Sequence, residues 1–235
     1  MTTSSATPGT GTFAEYVRVP ERAAAPKPAN LTFEQAAAVP MAGLTALQGL
    51  RDHGRLQPGQ KVLINGASGG VGTFAVQIGR SFGAEVTGVC SGSNASLVRS
   101  IGADHVVDYT TEDFTRAGSR YDVILDLIGN RSPSEFRRVL APRGTYIASF
   151  GQPEHRWIGP MAQLLRTLTL SRFVGQKMVT FVAKVTTEDL VVLKDLIEAG
   201  TVTPVVDRTY ALSETAEALR YLEIGHARGK VVVVV

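Results

Sequence analysis

The sequence contains very little cysteine: Cys90 is the only one in 235 residues. A single thiol excludes an intramolecular disulfide framework and a zinc site built from several cysteines. Because Cys90 ends a predicted buried strand, we interpret it as a small core residue rather than a reactive thiol. The shortage of cysteine also favours a cytoplasmic location.

Other features are absent as well. No apolar run approaches the roughly 18 residues that a membrane span requires. Residues 1–12 lack the basic start and apolar core of a signal peptide. The net charge of +3 is spread along the chain without a basic cluster that includes aromatic residues. We therefore expect a globular protein with no membrane and no nucleic acid as partner.

The most informative segment that is present is a glycine-rich run that follows a short apolar strand. Gly66, Gly69 and Gly72 occupy the first, fourth and seventh positions of this run, and an apolar pattern with helical spacing comes next. A strand, a glycine turn and a helix N-terminus together form an anion site, because free N–H groups and the helix dipole face the same point. The run therefore predicts a dinucleotide site. Ser68 within it is open to a second interpretation, as a helix cap.

Strands and helices alternate after this run, and the strands are apolar on both faces. This alternation predicts an α/β fold with a doubly wound parallel sheet. The predicted strands are 62–65, 85–89, 106–109, 122–127, 144–149, 205–210 and 230–235, with extended chain over 173–185 and an earlier strand at 13–19. The predicted helices are 71–82, 95–101, 133–140, 188–199 and 213–224, with a further helical stretch within 157–171.

Several segments resemble the zinc-independent quinone oxidoreductases and enoyl reductases of the medium-chain dehydrogenase/reductase superfamily. The segments that carry the resemblance are 11–17 (GTFAEYV), 44–47 (LTAL), 66–72 (GASGGVG), 102–109 (GADHVVDY) and 225–232 (GHARGKVV). Their order along the chain also matches the family, and the resemblance covers essentially all of residues 11–235.

The resemblance implies two lobes. A Rossmann domain is expected over residues 41–200. A GroES-like β lobe is expected from both chain ends, with residues 13–40 as its remnant, residues 201–235 as the return of the chain to it, and residues 1–12 as a disordered tail. Members of this family carry most of the β lobe before the segment that resembles 11–17, so this lobe is expected to be truncated here.

The resemblance also implies how the cofactor is bound, since ligands bind at the carboxyl ends of the strands in such sheets. The pyrophosphate is expected over the backbone of the glycine turn, the adenine beside Tyr109, and the nicotinamide ribose after the fourth strand. The expected cofactor contacts are Thr45, Ser68, Gly69, Gly70, Val71, Gly72, Ser91, Ser93, Asn94, Tyr109, Leu127, Gly129, Phe150, Gly151, Ala227 and Arg228.

The end of the second strand favours NADPH over NADH. An NAD site usually places an acidic residue there to bind both ribose hydroxyls. This chain has no acid between Val89 and Asn94, so a 2′-phosphate meets no repulsion. Ser93 stands where relatives often carry arginine, and hydrogen bonds from Ser91, Ser93 and Asn94 would replace that cation.

The resemblance implies hydride transfer from NADPH to a quinone, an activated double bond or a carbonyl, without zinc. The four histidines show no ligand spacing. No catalytic residue is assigned; Tyr16 is the one retained candidate for a proton donor, and a core or edge role fits it better. The substrate is a small molecule that the sequence does not identify.

Two further expectations concern alternatives and assembly. A catalytically incomplete nucleotide-binding remnant is the competing hypothesis. A short-chain dehydrogenase is excluded because no Tyr-x-x-x-Lys pair exists, and a P-loop nucleotidase because Thr73 follows Gly72 where that motif needs lysine. Apolar surface is expected around Phe13, Leu31 and Val205, and it favours a homodimer.

Overall fold

The structure is a computed structural model, and it describes residues 2–4, 13–116, 118–149 and 175–235. Its strands are β1 (Thr2–Ser4), β2 (Ala24–Pro26), β3 (Lys61–Asn65), β4 (Glu85–Cys90), β5 (His105–Asp108), β6 (Tyr121–Asp126), β7 (Leu140–Ala148), β8 (Lys177–Thr180), β9 (Val206–Ala211) and β10 (Lys230–Val234). Its helices are α1 (Phe33–Ala37), α2 (Pro40–Gln48), α3 (Gly70–Ser81), α4 (Ala95–Ser100), α5 (Pro133–Val139), α6 (Thr187–Glu198) and α7 (Thr215–Glu223).

Six strands form one parallel sheet in the order β5-β4-β3-β6-β7-β8. In chain order this is the 3-2-1-4-5-6 arrangement of a Rossmann fold, with the change of direction between β3 and β6. The prediction of a doubly wound parallel sheet is therefore confirmed. Ligands bind at this switch point in sheets of this kind, so β3 and β6 indicate where to look for the site.

The sheet is covered on both faces, which β3 shows directly. Val62 and Ile64 belong to one buried cluster, together with α2 and α3, whereas Leu63 belongs to the other, together with Phe114 and Phe136. All three strand residues are fully buried. Because side chains on both faces of this strand are buried, its sequence is a continuous apolar run. It therefore lacks the alternation of apolar and polar residues that a strand with one exposed face would show.

Two smaller sheets lie outside the main one. β9 and β10 pair in parallel through the crossover helix α7, and β1 pairs antiparallel with β2. Thr2–Ser4 therefore form a strand inside the segment predicted as a disordered tail. The assignment of residues 13–40 and 201–235 to a second lobe stays a prediction.

The predicted strand at 13–19 is wrong, because these residues adopt no regular secondary structure. No described strand lies beside them to pair with, and Tyr16 is 89% exposed. Phe13 is exposed as expected, whereas Leu31 is buried, contrary to the expectation of apolar surface there. The helical stretch predicted within 157–171 lies outside the described residues.

Candidate dinucleotide site

The turn between β3 and α3 is built on close backbone contacts. Gly66 has a φ of +93°, which favours glycine, and the N–H groups of Gly66 and Ala67 both donate to the Val89 carbonyl on β4. A Cβ on Gly72 would lie 2.0 Å from the Gly66 carbonyl oxygen, so α3 can start this close to β3 only with glycine there. The turn therefore fixes the helix N-terminus at the carboxyl edge of the sheet.

The N-terminus of α3 has the properties of an anion site. Gly69 is its N-cap and has no side chain that could cap the helix, so the interpretation of Ser68 as a helix cap is wrong. The Ser68 hydroxyl instead accepts a hydrogen bond from Asn94 Nδ2 at 3.2 Å. No described group accepts from the N–H of Gly70 or Val71. First-turn N–H groups without partners, together with the helix dipole, favour an anion at this position.

A cavity of about 300 Å³ opens in front of this helix, at the carboxyl ends of β3, β4 and β6. It therefore occupies the position expected for a dinucleotide at the switch point of the sheet. The cavity is lined by Asn65, Gly66, Ser68, Gly69, Val89, Cys90, Ser91, Asn94, Tyr109, Ile128, Asn130, Gly225, His226 and Ala227.

Six of the residues expected to contact the cofactor share this lining: Ser68, Gly69, Ser91, Asn94, Tyr109 and Ala227. Gly70, Val71 and Gly72 form the first turn of α3 directly behind it. Ser93 does not line the cavity, although its hydroxyl lies 3.0 Å from that of Ser91. The structure thus gathers residues from four separate segments of the chain around one space.

Other expected contacts are not on the cavity wall. The Thr45 hydroxyl donates to the Met41 carbonyl within α2 at 2.7 Å, so it is occupied by its own helix. Leu127 packs its side chain against the core. Gly129 and Arg228 also lie off the lining. Phe150 and Gly151 lie outside the described residues.

The loop after β4 is held by an acidic residue that the sequence analysis did not single out. The Asp108 carboxylate, at the end of β5, accepts from the Thr110 hydroxyl and the Thr110 N–H, and its Oδ2 lies directly beside Gly92. The hydrogen bonds from Thr110 are the largest cause of a lowered pKa at Asp108, and the nearby Gly92 N–H lowers it further. Asp108 therefore fixes the loop of Ser91 from the neighbouring strand, a contact that only the parallel register reveals.

The segment before β10 closes the cavity from the opposite side. Gly229 N–H donates to the Ser68 carbonyl at 2.9 Å. Asp207 on β9 holds the same segment, because its Oδ2 accepts from the Arg228 N–H at 3.0 Å and from the Tyr221 hydroxyl at 2.6 Å. The wall formed by residues 225–227 is therefore tied both to the glycine turn and to β9.

Lys230 is a second residue that sequence reasoning missed. A Cβ on Gly70 would lie 2.7 Å from Lys230 Cδ, so the aliphatic part of this side chain covers the first residue of α3. Burial lowers the pKa of Lys230, and no described carboxylate forms an ion pair with it. A desolvated ammonium group beside the positive end of a helix adds to the preference of this region for an anion.

The floor of the cavity is a buried polar network. Asn65 and Asp126 are the last residues of β3 and β6, and they pair in the sheet register. Asn65 Nδ2 donates to Asp126 Oδ1 at 2.8 Å and to Asn130 Oδ1 at 3.2 Å. The Tyr146 hydroxyl donates to Asp126 Oδ2 at 2.8 Å, and burial, together with the nearby Asp126 charge, raises the pKa of Tyr146 far above its ordinary range.

Within the described residues, no group of three or more His, Cys, Asp or Glu side chains could hold a metal ion. No helix in the described part of the chain is long and apolar enough to cross a membrane.

Comparison with known proteins agrees with this geometry. A family model described as zinc-binding dehydrogenase matches residues 101–233. The chain belongs to the medium-chain dehydrogenase/reductase superfamily. The predicted family resemblance is confirmed.

Two curated relatives and one solved structure illustrate the match. The mitochondrial NAD(P)H oxidoreductase RTN4IP1 of Mus musculus is 36% identical over 95% of this chain. The chloroplastic quinone-oxidoreductase QR1 of Triphysaria versicolor is 32% identical over 96% of this chain and 69% of its own length. The quinone oxidoreductase of Coxiella burnetii superimposes with a TM-score of 0.81 and 28% identity, over 92% of this chain and 65% of that one.

The chain spans 61% of the length of the mouse relative. Because the names of these two curated relatives place them in mitochondria and in chloroplasts, the expected cytoplasmic location of this chain stays a prediction.

Proposed function

We propose that this medium-chain dehydrogenase/reductase binds NADPH in the cavity at the β3–β6 switch point and passes its hydride to a small quinone or enone. The observation that carries the proposal is the N-terminus of α3, whose first N–H groups have no acceptor among the described residues and lie behind a cavity of about 300 Å³. The pyrophosphate would be held by the first turn of α3, and the adenosine would lie toward Asn94 and Tyr109. The cofactor supplies the hydride; the residues of the chain bind and orient it.

NADPH is preferred over NADH because of the charges around the cavity. No Asp or Glu is among the described residues that line it. Asp108 contacts the loop of Ser91, but its Oδ1 accepts two hydrogen bonds from Thr110 and its Oδ2 lies against Gly92. A 2′-phosphate at this loop therefore meets hydroxyl and amide donors rather than a carboxylate that faces the ligand.

A quinone is the proposed hydride acceptor because two relatives are named quinone oxidoreductases. An activated double bond is the second candidate because a chloroplastic relative from Arabidopsis thaliana is named an NADPH-dependent alkenal/one oxidoreductase. We propose that the reaction proceeds without zinc and that the chain assembles as a homodimer. The exposed side chains of Phe13 and Tyr16 supply apolar surface for such contact. No described residue is assigned as proton donor.

The test is the oxidation of NADPH by a small quinone and by an enone, followed through the loss of reduced-nicotinamide absorbance. Gly69→Asp is the informative variant. The nearest atom to a Cβ on Gly69 lies 3.4 Å away, and its φ of −80° and ψ of 175° suit an N-cap aspartate. The substitution therefore keeps the fold while it places a negative charge where the pyrophosphate is proposed to bind.

Gly69→Asn is the matched control, because it has the same size and capping ability without the charge. We expect wild type to oxidise NADPH, Gly69→Asp to lose at least tenfold in apparent NADPH affinity, and Gly69→Asn to lose clearly less. Equal loss in both variants would contradict an anion at this helix end. Binding of NADPH without turnover on either acceptor would refute the oxidoreductase part of the proposal and leave the binding part standing.

A further inference from the structure

The buried network below the cavity contains a carboxylate whose partners are all donors. Asp126 is fully buried, and its Oδ1 accepts from Asn65 Nδ2 and from the N–H groups of Ile128 and Gly129, at 2.8 to 3.1 Å. The Tyr146 hydroxyl donates to its other oxygen. Four donors around one side chain match an ionised carboxylate, which can only accept.

This carboxylate fixes the orientation of the Asn65 side chain. The two ends of a carboxamide look alike, and hydrogen-bond partners decide between them. Because Asp126 Oδ1 is an acceptor, the Asn65 atom that lies 2.8 Å from it must be the amino group. The carbonyl end of Asn65 is then left without a donor among the described residues, and Asn65 lines the cavity.

The orientation of Asn65 in turn fixes that of Asn130. The Asn65 amino group also donates to Asn130 at 3.2 Å, so the Asn130 atom that faces it must be the carbonyl oxygen. The amino group of Asn130 then has no acceptor among the residues that the structure describes, and Asn130 is an exposed part of the cavity lining. One buried charge thus sets the direction of two carboxamides in a row.

We propose that Asp126 is a positioning residue that, through Asn65 and Asn130, presents a carbonyl acceptor and an amino donor to the hydroxyl groups of the ribose on the nicotinamide side. A vicinal diol can donate one hydrogen bond and accept another, so it matches an acceptor beside a donor. The placement also fits, because Asn65 ends β3 and Asn130 follows β6, and β6 lies on the opposite side of β3 from β4 and β5, which carry the loops of Asn94 and Tyr109. This inference rests on the proposed binding of a nicotinamide dinucleotide.

The test compares ADP with ADP-ribose by isothermal titration calorimetry. The two ligands share the adenosine and the pyrophosphate, and only ADP-ribose carries the second ribose. For wild type we expect ADP-ribose to bind more tightly than ADP by about threefold to tenfold, the effect of one or two net hydrogen bonds. In Asn65→Ala, Asn130→Ala and Asp126→Asn this advantage should fall to about onefold, while the affinity for ADP itself stays within about twofold.

Gln48→Ala is the control for a merely structural effect. Gln48 is also a buried carboxamide with hydrogen bonds at both ends, to Lys184 and Asp189, but it lies away from the cavity lining. Its loss should lower the thermal midpoint and leave the preference for ADP-ribose unchanged. If Asp126→Asn does not fold, the variant of exposed Asn130 still tests the proposal.

The outcomes distinguish a failure of the proposed dinucleotide binding from a failure of the role proposed for Asp126, Asn65 and Asn130. Wild type that binds neither ADP-ribose nor NADPH would overturn the proposed function and this inference with it. Wild type that binds NADPH but shows no preference for ADP-ribose over ADP, or variants that keep the preference, would overturn this inference alone.

Discussion

A substitution at Gly72 is expected to cause a large loss of folding stability. In Gly72→Ala the new methyl group would lie 2.0 Å from the Gly66 carbonyl oxygen and 2.8 Å from Ala67 backbone atoms. The three nearest atoms all belong to the backbone of the turn, so no flexible side chain can move away to relieve these contacts. The β3–α3 turn must open, which places the cost at the upper end of overpacking substitutions, about 3 kcal/mol.

A change of this size should lower the thermal midpoint by roughly 6–12 °C in a chain of this length. Gly69→Ala, three residues earlier in the same turn, is the matched comparison, because its nearest contact at 3.4 Å is ordinary packing. We expect it to cost less than about 1 kcal/mol. Differential scanning calorimetry of both variants measures the contrast. A midpoint loss in Gly72→Ala no greater than in Gly69→Ala would refute the rigid close approach of helix and strand.

Three further predictions concern the cavity wall and the fold. Lys230→Met should raise the thermal midpoint of the ligand-free protein at pH 7, because burial lowers the pKa of Lys230 and so disfavours its charged form in the folded state. Thermal scans at rising pH, toward pH 10, should show a smaller difference in midpoint between variant and wild type, because the wild-type lysine loses its proton. Asp207→Ala should weaken NADPH binding about threefold in a fluorescence titration, because the Arg228 N–H and the Tyr221 hydroxyl lose their acceptor. Thr32→Ala should cost about 1 kcal/mol in urea unfolding, since Thr32 forms a reciprocal capping box at α1.

Most of the main sheet could be predicted from the sequence because β3, β4 and β6 are largely buried apolar runs followed by a turn or a helix. The strand predicted at 13–19 is absent for a physical reason: a strand is stabilised by pairing with a neighbouring strand, and none lies beside these residues in the described chain. Local patterns report what a segment can form. They do not report whether a partner is present.

The candidate site contains contacts of both kinds: some lie within one continuous segment, and others join segments that are distant in the sequence. The glycine turn and the loop after β4 are continuous segments, so their composition predicted a role for Ser68, Gly69 and Asn94, which the structure brings together. Asp126 and Asn65 meet only because β3 and β6 are neighbours in register, and Lys230 reaches Gly70 only because β10 returns to the glycine turn. Contacts between distant segments of this kind leave no mark in any one stretch of sequence.

The central claim is that the cavity at the β3–β6 switch point binds a nicotinamide dinucleotide through the N-terminus of α3. Its most direct test is a calorimetric titration of the purified chain with NADPH and, in parallel, with NADH. We predict saturable binding of one molecule per chain, tighter for NADPH, and loss of that binding in Gly69→Asp with no loss of thermal stability. A folded wild-type protein that takes up neither nucleotide would contradict the account.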